Sequence, residues 1–212
     1  MNWIALIAAA LVSAGASAQE SDVPNAILLV AKPELADANF RQTVVLVTQA
    51  PDASTVGVIL NRPTDRKDPK SGKPLGFGGP VMPWATVALF RSPARPEAPA
   101  FHVLKDVYLS LHPTNLDALV ARPPADGYRL YSGFSGWAPR QLESEMVRNS
   151  WYILPATESL VFREDTRGLW RELVEKARKM NAPRARANTP APPARCKASF
   201  AILSPCVSSA FS

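Results

Sequence analysis

Cysteine and histidine are scarce, two of each in 212 residues, and that scarcity removes several chemistries at once. Cys196 and Cys206 are not spaced as C-x-x-C, so neither a redox pair nor a zinc knuckle is indicated. His102 and His112 have no cysteine or carboxylate cluster at ligand spacing, and no metal site is expected. Gly76-Phe77-Gly78 is not continued by glycine at Val81, and a strand rather than a helix is expected to follow, which argues against dinucleotide binding. No cofactor is expected. Long hydrophobic runs are also missing: the longest, Trp3 to Val12, falls short of the ~20 apolar residues that a bilayer requires. Acidic residues are absent from positions 181–212, which carry four bases. The net charge of +6 therefore divides into +2 over residues 1–180 (20 bases less 18 acids) and +4 over the tail. A basic stripe on a folded face is not supported, and no nucleic-acid partner is expected.

The chain begins with an apolar run that ends in Ala16-Ser17-Ala18, the A-x-A form of a secretory cleavage site. Residues 1–18 are read as a signal peptide cleaved after Ala18, giving a periplasmic or secreted protein with no transmembrane span in the mature chain. The amino-terminal region has no Lys or Arg, which leaves an N-terminal membrane anchor as the alternative. Residues 19–180 are expected to form one domain with one sizeable core. Residues 181–212, with Pro183, Pro190, Pro192, Pro193 and Pro205 among Ala, Arg and Ser, read as a flexible extension. Cys196 and Cys206 lie in it, either as a small disulfide loop contributing about 2 to 3 kcal/mol or as unpaired thiols.

Between these ends the apolar pattern is mixed. Ala26 to Ala31, Thr43 to Thr48 and Thr55 to Leu60 are continuous apolar runs and read as buried strands. Shorter strands are expected at Ala85 to Phe90, Val107 to Leu111, Tyr128 to Tyr131 and Trp151 to Leu154. Thr114 is placed as the cap of a helix over Asn115 to Ala121, and Pro139 in the first turn of a helix reaching about Arg148. From Arg167 to Met180, Leu169, Trp170, Leu173, Val174 and Ala177 share one helix face. Strands precede clustered helices, which predicts an α+β domain.

Four motifs recur in one order: NRPT (Asn61 to Thr64), GGPV (Gly78 to Val81), GWAPRQLESE (Gly136 to Glu145) and NSW (Asn149 to Trp151). With the opening LLVAKPELADANFRQTVVLVTQ (Leu28 to Gln49), they resemble the YqgE/AlgH family of bacterial proteins over about Ala26 to Trp170. The resemblance implies a mixed sheet, strongly bent and partly barrel-like, flanked by helices. It also implies a poorly defined function: the family's best-known label is a regulator associated with alginate production, and no enzymatic activity is established for the group. Arg140 stands where the family usually has Gly, and Ser135 where Ala is usual.

Each motif has a bland reading beside a functional one. Asn61 suits an Asx-type turn and Pro63 drives Arg62 out of helical conformation; alternatively Arg62 presents its guanidinium fork to a carboxylate or phosphate. Gly78 and Gly79 permit a nest of backbone N–H groups. Trp137 reads as a packed aromatic. Gln141 is placed to bond back to the start of its helix, as half a capping box. Glu143 and Glu145, two residues apart, point about 200° apart around a helix and form no acid/base pair. Gly133-Phe134-Ser135-Gly136-Trp137 has Trp where a nucleophile elbow needs Gly. The leading expectation is a non-catalytic binding or regulatory module of the envelope. Its groove would be lined by Asn61, Arg62, Gly78, Gly79, Trp137, Gln141 and Glu143, for a protein partner or a small anionic ligand. The rival is a hydrolase or transferase using Ser135, His112 or Glu143; a transcription-related regulator is the weaker alternative.

Overall fold

The structure, a computed structural model, describes residues 25–124 and 127–181. The proposed signal peptide, the C-terminal extension and the cysteine pair lie outside these residues. Three strands open the fold, β1 (Ile27–Ala31), β2 (Val44–Gln49) and β3 (Thr55–Ile59), joined as an antiparallel meander. Both of their faces are covered, which explains why their sequences are continuously apolar. Leu28, Val30, Val44, Leu46 and Val58 enter one core cluster, whereas Leu29, Ala31, Val45, Val47 and Ile59 enter another. Successive side chains alternate across a strand, so adjacent residues serve opposite cores.

A short hairpin follows, β4 (Pro63–Lys67) and β5 (Pro74–Phe77), and then the long β6 (Val81–Arg91) and the pair β7 (Phe101–Leu104) and β8 (Val107–Ser110). Helix α1 (Pro113–Ala121) leads to β9 (Tyr128–Trp137), α2 (Gln141–Val147), β10 (Trp151–Pro155), α3 (Glu158–Val161) and α4 (Leu169–Asn181). The main strand order is β10-β1-β2-β3-β9-β6-β8-β7, with the β4/β5 hairpin attached through a parallel β5–β9 pairing. This mixed, sheet-dominated α+β fold is strongly bent but not closed. At the free end of the path, Val103 of β7 brings its carbonyl to 3.4 Å from the Ala26 nitrogen just before β1.

β9 makes the bend. Residues 135–137 pair with β3, residues 130–132 pair with β5, and Tyr128 to Ser132 pair with β6 along the other edge. Between the two sets of partners stands Gly133, at φ 69°. Within the irregular stretch of β6 between Val81 and Thr86, Pro83 anchors the strand: its carbonyl accepts from Ser132 Oγ at 2.5 Å and Arg66 Nη1 at 3.3 Å. α4 covers one face of the meander with Leu169, Leu173, Val174 and Ala177, and Trp170 Nε1 donates to the Ala31 carbonyl at 2.7 Å.

Two helix starts differ from expectation. α1 is capped by His112, whose Nδ1 accepts from the Thr114 N–H at 3.3 Å, so the helix starts two residues earlier than a Thr114 cap would place it, with Pro113 in its first turn. α2 starts at Gln141 after Arg140, which adopts a left-handed conformation at φ 67°, so Pro139 precedes the helix. β4, β5, β7 and α3 were not expected. β4 is polar and largely exposed, and the others have four residues each, too short for a periodic signal.

Candidate functional site

NRPT lies where β3 gives way to β4, and its side chains hold the preceding loop. Asn61 Oδ1 accepts from the Val44 N–H at 2.8 Å while its Nδ2 donates to the Gln42 carbonyl at 3.0 Å. Gln42 needs that support, since it sits at φ 57°. Arg62 donates through Nη1 to the Asn39 carbonyl at 2.6 Å and through Nη2 to the Arg41 carbonyl at 3.2 Å, with its guanidinium over the Phe77 ring. Desolvation, reinforced by Arg41 and opposed by Asp37, lowers the Arg62 pKa from its ordinary value. Much of the fork expected to face a ligand is thus turned onto loop carbonyls, and Arg62 brings its charge rather than a free bidentate face.

Gly78 and Gly79 serve backbone crossing. A Cβ at Gly78 would come within 2.1 Å of the Gly133 carbonyl, and one at Gly79 within 2.4 Å of the Phe134 backbone. The Gly78 N–H is used on the Ser132 carbonyl, and its own carbonyl accepts from Ile59 N and Ser135 Oγ, both at 3.0 Å. Ser135 is fully buried. Its hydroxyl therefore braces this crossing and presents no surface to a substrate.

Trp137 ends β9, and Gln141 and Glu143 lie on α2. Trp137 is buried, stacked on Phe40 at 5.5 Å between centroids and edge-on to Trp151 at 6.4 Å. Gln141 Oε1 accepts from the Ala138 N–H at 3.2 Å, the half capping box expected of it. Glu143 is exposed, whereas Glu145, passed over as a site residue, accepts from both indole nitrogens, Trp137 at 3.2 Å and Trp151 at 3.0 Å. None of Trp137, Gln141 and Glu143 is among the residues lining the clefts described below.

A cleft does open beside NRPT. About 420 Å³ in volume, it is floored by β9 and lined by Arg62 and Thr64 of NRPT, Lys73 and Leu75 of the hairpin, and the loop residues Glu164 and Thr166. Arg129 and Tyr131 of β9 also line it. Three cations, Arg62, Lys73 and Arg129, face one carboxylate, Glu164, a formal excess of +2. Lys73 Nζ lies 4.0 Å from the Tyr128 ring centroid, which fixes its position without neutralising it. A smaller hollow of about 260 Å³, lined by Asn61, Arg167 and Arg171, shares Thr166 with the first. A larger one, about 640 Å³ by the 95–101 loop and His112, has Arg95 balanced by Glu97 and so no charge bias. Among the described residues, no group of three or more His, Cys, Asp or Glu side chains is placed to hold a metal. Nor is any helix among them long and apolar enough to cross a membrane.

Lys73 lies in a polar stretch outside every motif, and Arg129 and Tyr131 lie inside a strand. Arg129 stands between Tyr128 and Leu130, where alternation already marks it as facing away from them. That was the available signal.

A strongly bent mixed sheet, switched at Gly133 and buttressed by NRPT and GGPV, defines a domain built around backbone crossings, with a cationic cleft beside NRPT. The chain belongs to the AlgH-like family, whose model matches residues 28–181. It is 35% identical over 176 residues to a UPF0301 protein of Thermobifida fusca, covering 70% of this chain and 84% of that one. A UPF0301 protein of Mycobacteroides abscessus is 30% identical over 161 residues, covering 70% and 77%. The solution structure of the AlgH protein from Pseudomonas aeruginosa superposes with a TM-score of 0.58 at 24% identity, over 74% of this chain and 88% of that one. A crystal structure of a Corynebacterium diphtheriae protein does so with a TM-score of 0.60 at 22% identity, over 72% and 86%. These two likenesses establish the fold.

Proposed function

We propose that this AlgH-like chain is a non-catalytic binding module of the cell envelope, exported by residues 1–18, that takes a small anionic ligand in the cleft beside NRPT. The observation that carries the reading is the +2 excess of Arg62, Lys73 and Arg129 over Glu164 in one partly enclosed cavity. Apolar walls beside such a cluster focus its field on an entering anion. The hydrolase or transferase alternative draws less support, because its nucleophile candidate Ser135 is sealed in and bonded to Gly78, and His112 spends Nδ1 on capping α1.

Affinity capture from the producing cell's envelope extract, with bound small molecules identified, tests this reading. An anion retained by the native chain and lost from an Arg62→Ala, Lys73→Ala double variant is expected. Equal retention by the variant, or no anion at all, contradicts it. For the compartment, mass spectrometry should find the mature amino terminus at Gln19; an intact Met1 on cytosolic protein overturns the export reading.

A further inference from the structure

Tyr131 Oη is, among the described residues, the buried side-chain polar atom that has no hydrogen-bond partner. A phenol shut away from water without an acceptor costs free energy, so native proteins rarely leave one without a reason. Its ring is fixed: it lies against Gly76, where a Cβ would come within 2.9 Å of Cδ1. Two residues earlier on the same strand, and therefore on the same face, is Arg129. Burial raises the Tyr131 pKa, opposed by the Arg129 charge and by a hydrogen-bonding approach of the Arg129 guanidinium to the phenol oxygen, so the phenol keeps its proton and remains a donor. The two groups are near enough to interact, yet they are not aligned as a hydrogen-bonded pair. Alignment would not satisfy both, since a guanidinium only donates and the phenol proton needs an acceptor. Arg129 Nη2 meanwhile donates to the neutral carbonyl of Arg163.

Two neighbouring donors thus line a cleft with a +2 excess, one unmet and the other held by a neutral acceptor. Resting on the anion reading of that cleft, we infer that Tyr131 and Arg129 form the inner end of a site for a phosphate-type dianion. One oxygen of the ligand accepts from Tyr131 Oη and from Arg129. Arg129 thereby exchanges a carbonyl for a charged acceptor, the stronger partner. Lys73, in the same lining, supplies a further positive charge. A dianion matches the formal excess, and a tetrahedral group offers separate oxygens to donors that do not lie in one plane.

Calorimetric titration of the purified chain with inorganic phosphate, and in parallel with succinate, tests the site. Phosphate binding is expected, with succinate weaker. Tyr131→Phe, which keeps the ring, should lose about tenfold in phosphate affinity, the effect of one hydrogen bond to a charged group. Its melting temperature should hold or rise, since an unsatisfied hydroxyl is removed. Phosphate affinity unchanged in Tyr131→Phe overturns the inference, and if Lys73→Ala still abolishes binding, the anion cleft survives without it. Succinate binding as tightly as phosphate overturns the phosphate assignment. Absence of phosphate binding to the native chain overturns the inference too, while the capture experiment judges the binding-module reading independently.

Discussion

The Trp137 indole nitrogen donates to Glu145 Oε2 at 3.2 Å, and the same oxygen takes a second indole N–H, from Trp151, at 3.0 Å. One carboxylate thereby ties the end of β9 to the start of β10 across α2. Glu145→Ala leaves two indole donors in a buried aromatic cluster without their acceptor and should cost about 2 to 4 kcal/mol. Glu143→Ala, at an exposed position on the same helix, should stay within about 0.5 kcal/mol. Urea denaturation followed by tryptophan fluorescence separates the two; equal effects would show that the carboxylate is not a structural clasp.

The crossing of Gly78 and Gly79 over β9 leaves no room for a side chain. Gly79→Ala should be severely destabilising, more than about 3 kcal/mol, because its Cβ meets backbone within 2.4 Å and backbone does not swing aside. Gly72→Ala is the control: it has a left-handed φ of 68° but open space around it, and only the conformational cost of about 1 to 2 kcal/mol applies. Thermal melting of the two variants should rank them in that order.

Asn61 closes two backbone groups of the loop before β2. Asn61→Ala frees the Val44 N–H and the Gln42 carbonyl and should cost about 1 to 3 kcal/mol. Hydrogen exchange at the Val44 amide should accelerate more than exchange at Leu46, deeper in the same strand. Uniform acceleration would mean that the whole fold, not this loop, had been weakened.

In the loop that borders both hollows, Asp165 is held down to about 2, first by its side-chain bond with Arg167 and then by the Arg167 backbone N–H. A depressed carboxylate contributes stability that is present above its unfolded value, near 3.9, and lost as pH falls through about 2. Arg167→Ala should raise the Asp165 pKa toward the usual carboxylate range while the backbone bond keeps part of the depression. Carboxyl-carbon NMR titration reads this directly; an unmoved pKa would contradict the pairing.

What could be read from the residues was whatever a local pattern decides. β1, β2 and β3 showed as continuous apolar runs because both faces are covered, and α4 showed through the spacing of Leu169, Leu173 and Ala177. The four ordered motifs identified the family and with it the bent sheet. Pairing was not legible: nothing local tells that residues 130–132 meet β5 in parallel while 135–137 meet β3. The site suffered for the same reason. Asn61, Gly78, Gly79 and Gln141 carry the motif signal, yet each is occupied in holding backbone to backbone. Lys73, Arg129 and Tyr131, which line the cleft, come together only through the β5–β9 ladder and belong to no motif. Arg62, Pro63 and Thr64 of NRPT belong to both sets.

The central claim is that the anion site is the cleft beside NRPT, and backbone and side-chain NMR shift mapping during titration with inorganic phosphate tests it most directly. The account predicts shifts concentrated at Arg62 to Thr64, Lys73 to Gly76 and Tyr128 to Tyr131, including the Arg129 Nε–H resonance. Shifts centred on Ala138 to Glu145, or none in the cleft at phosphate saturation, would contradict it.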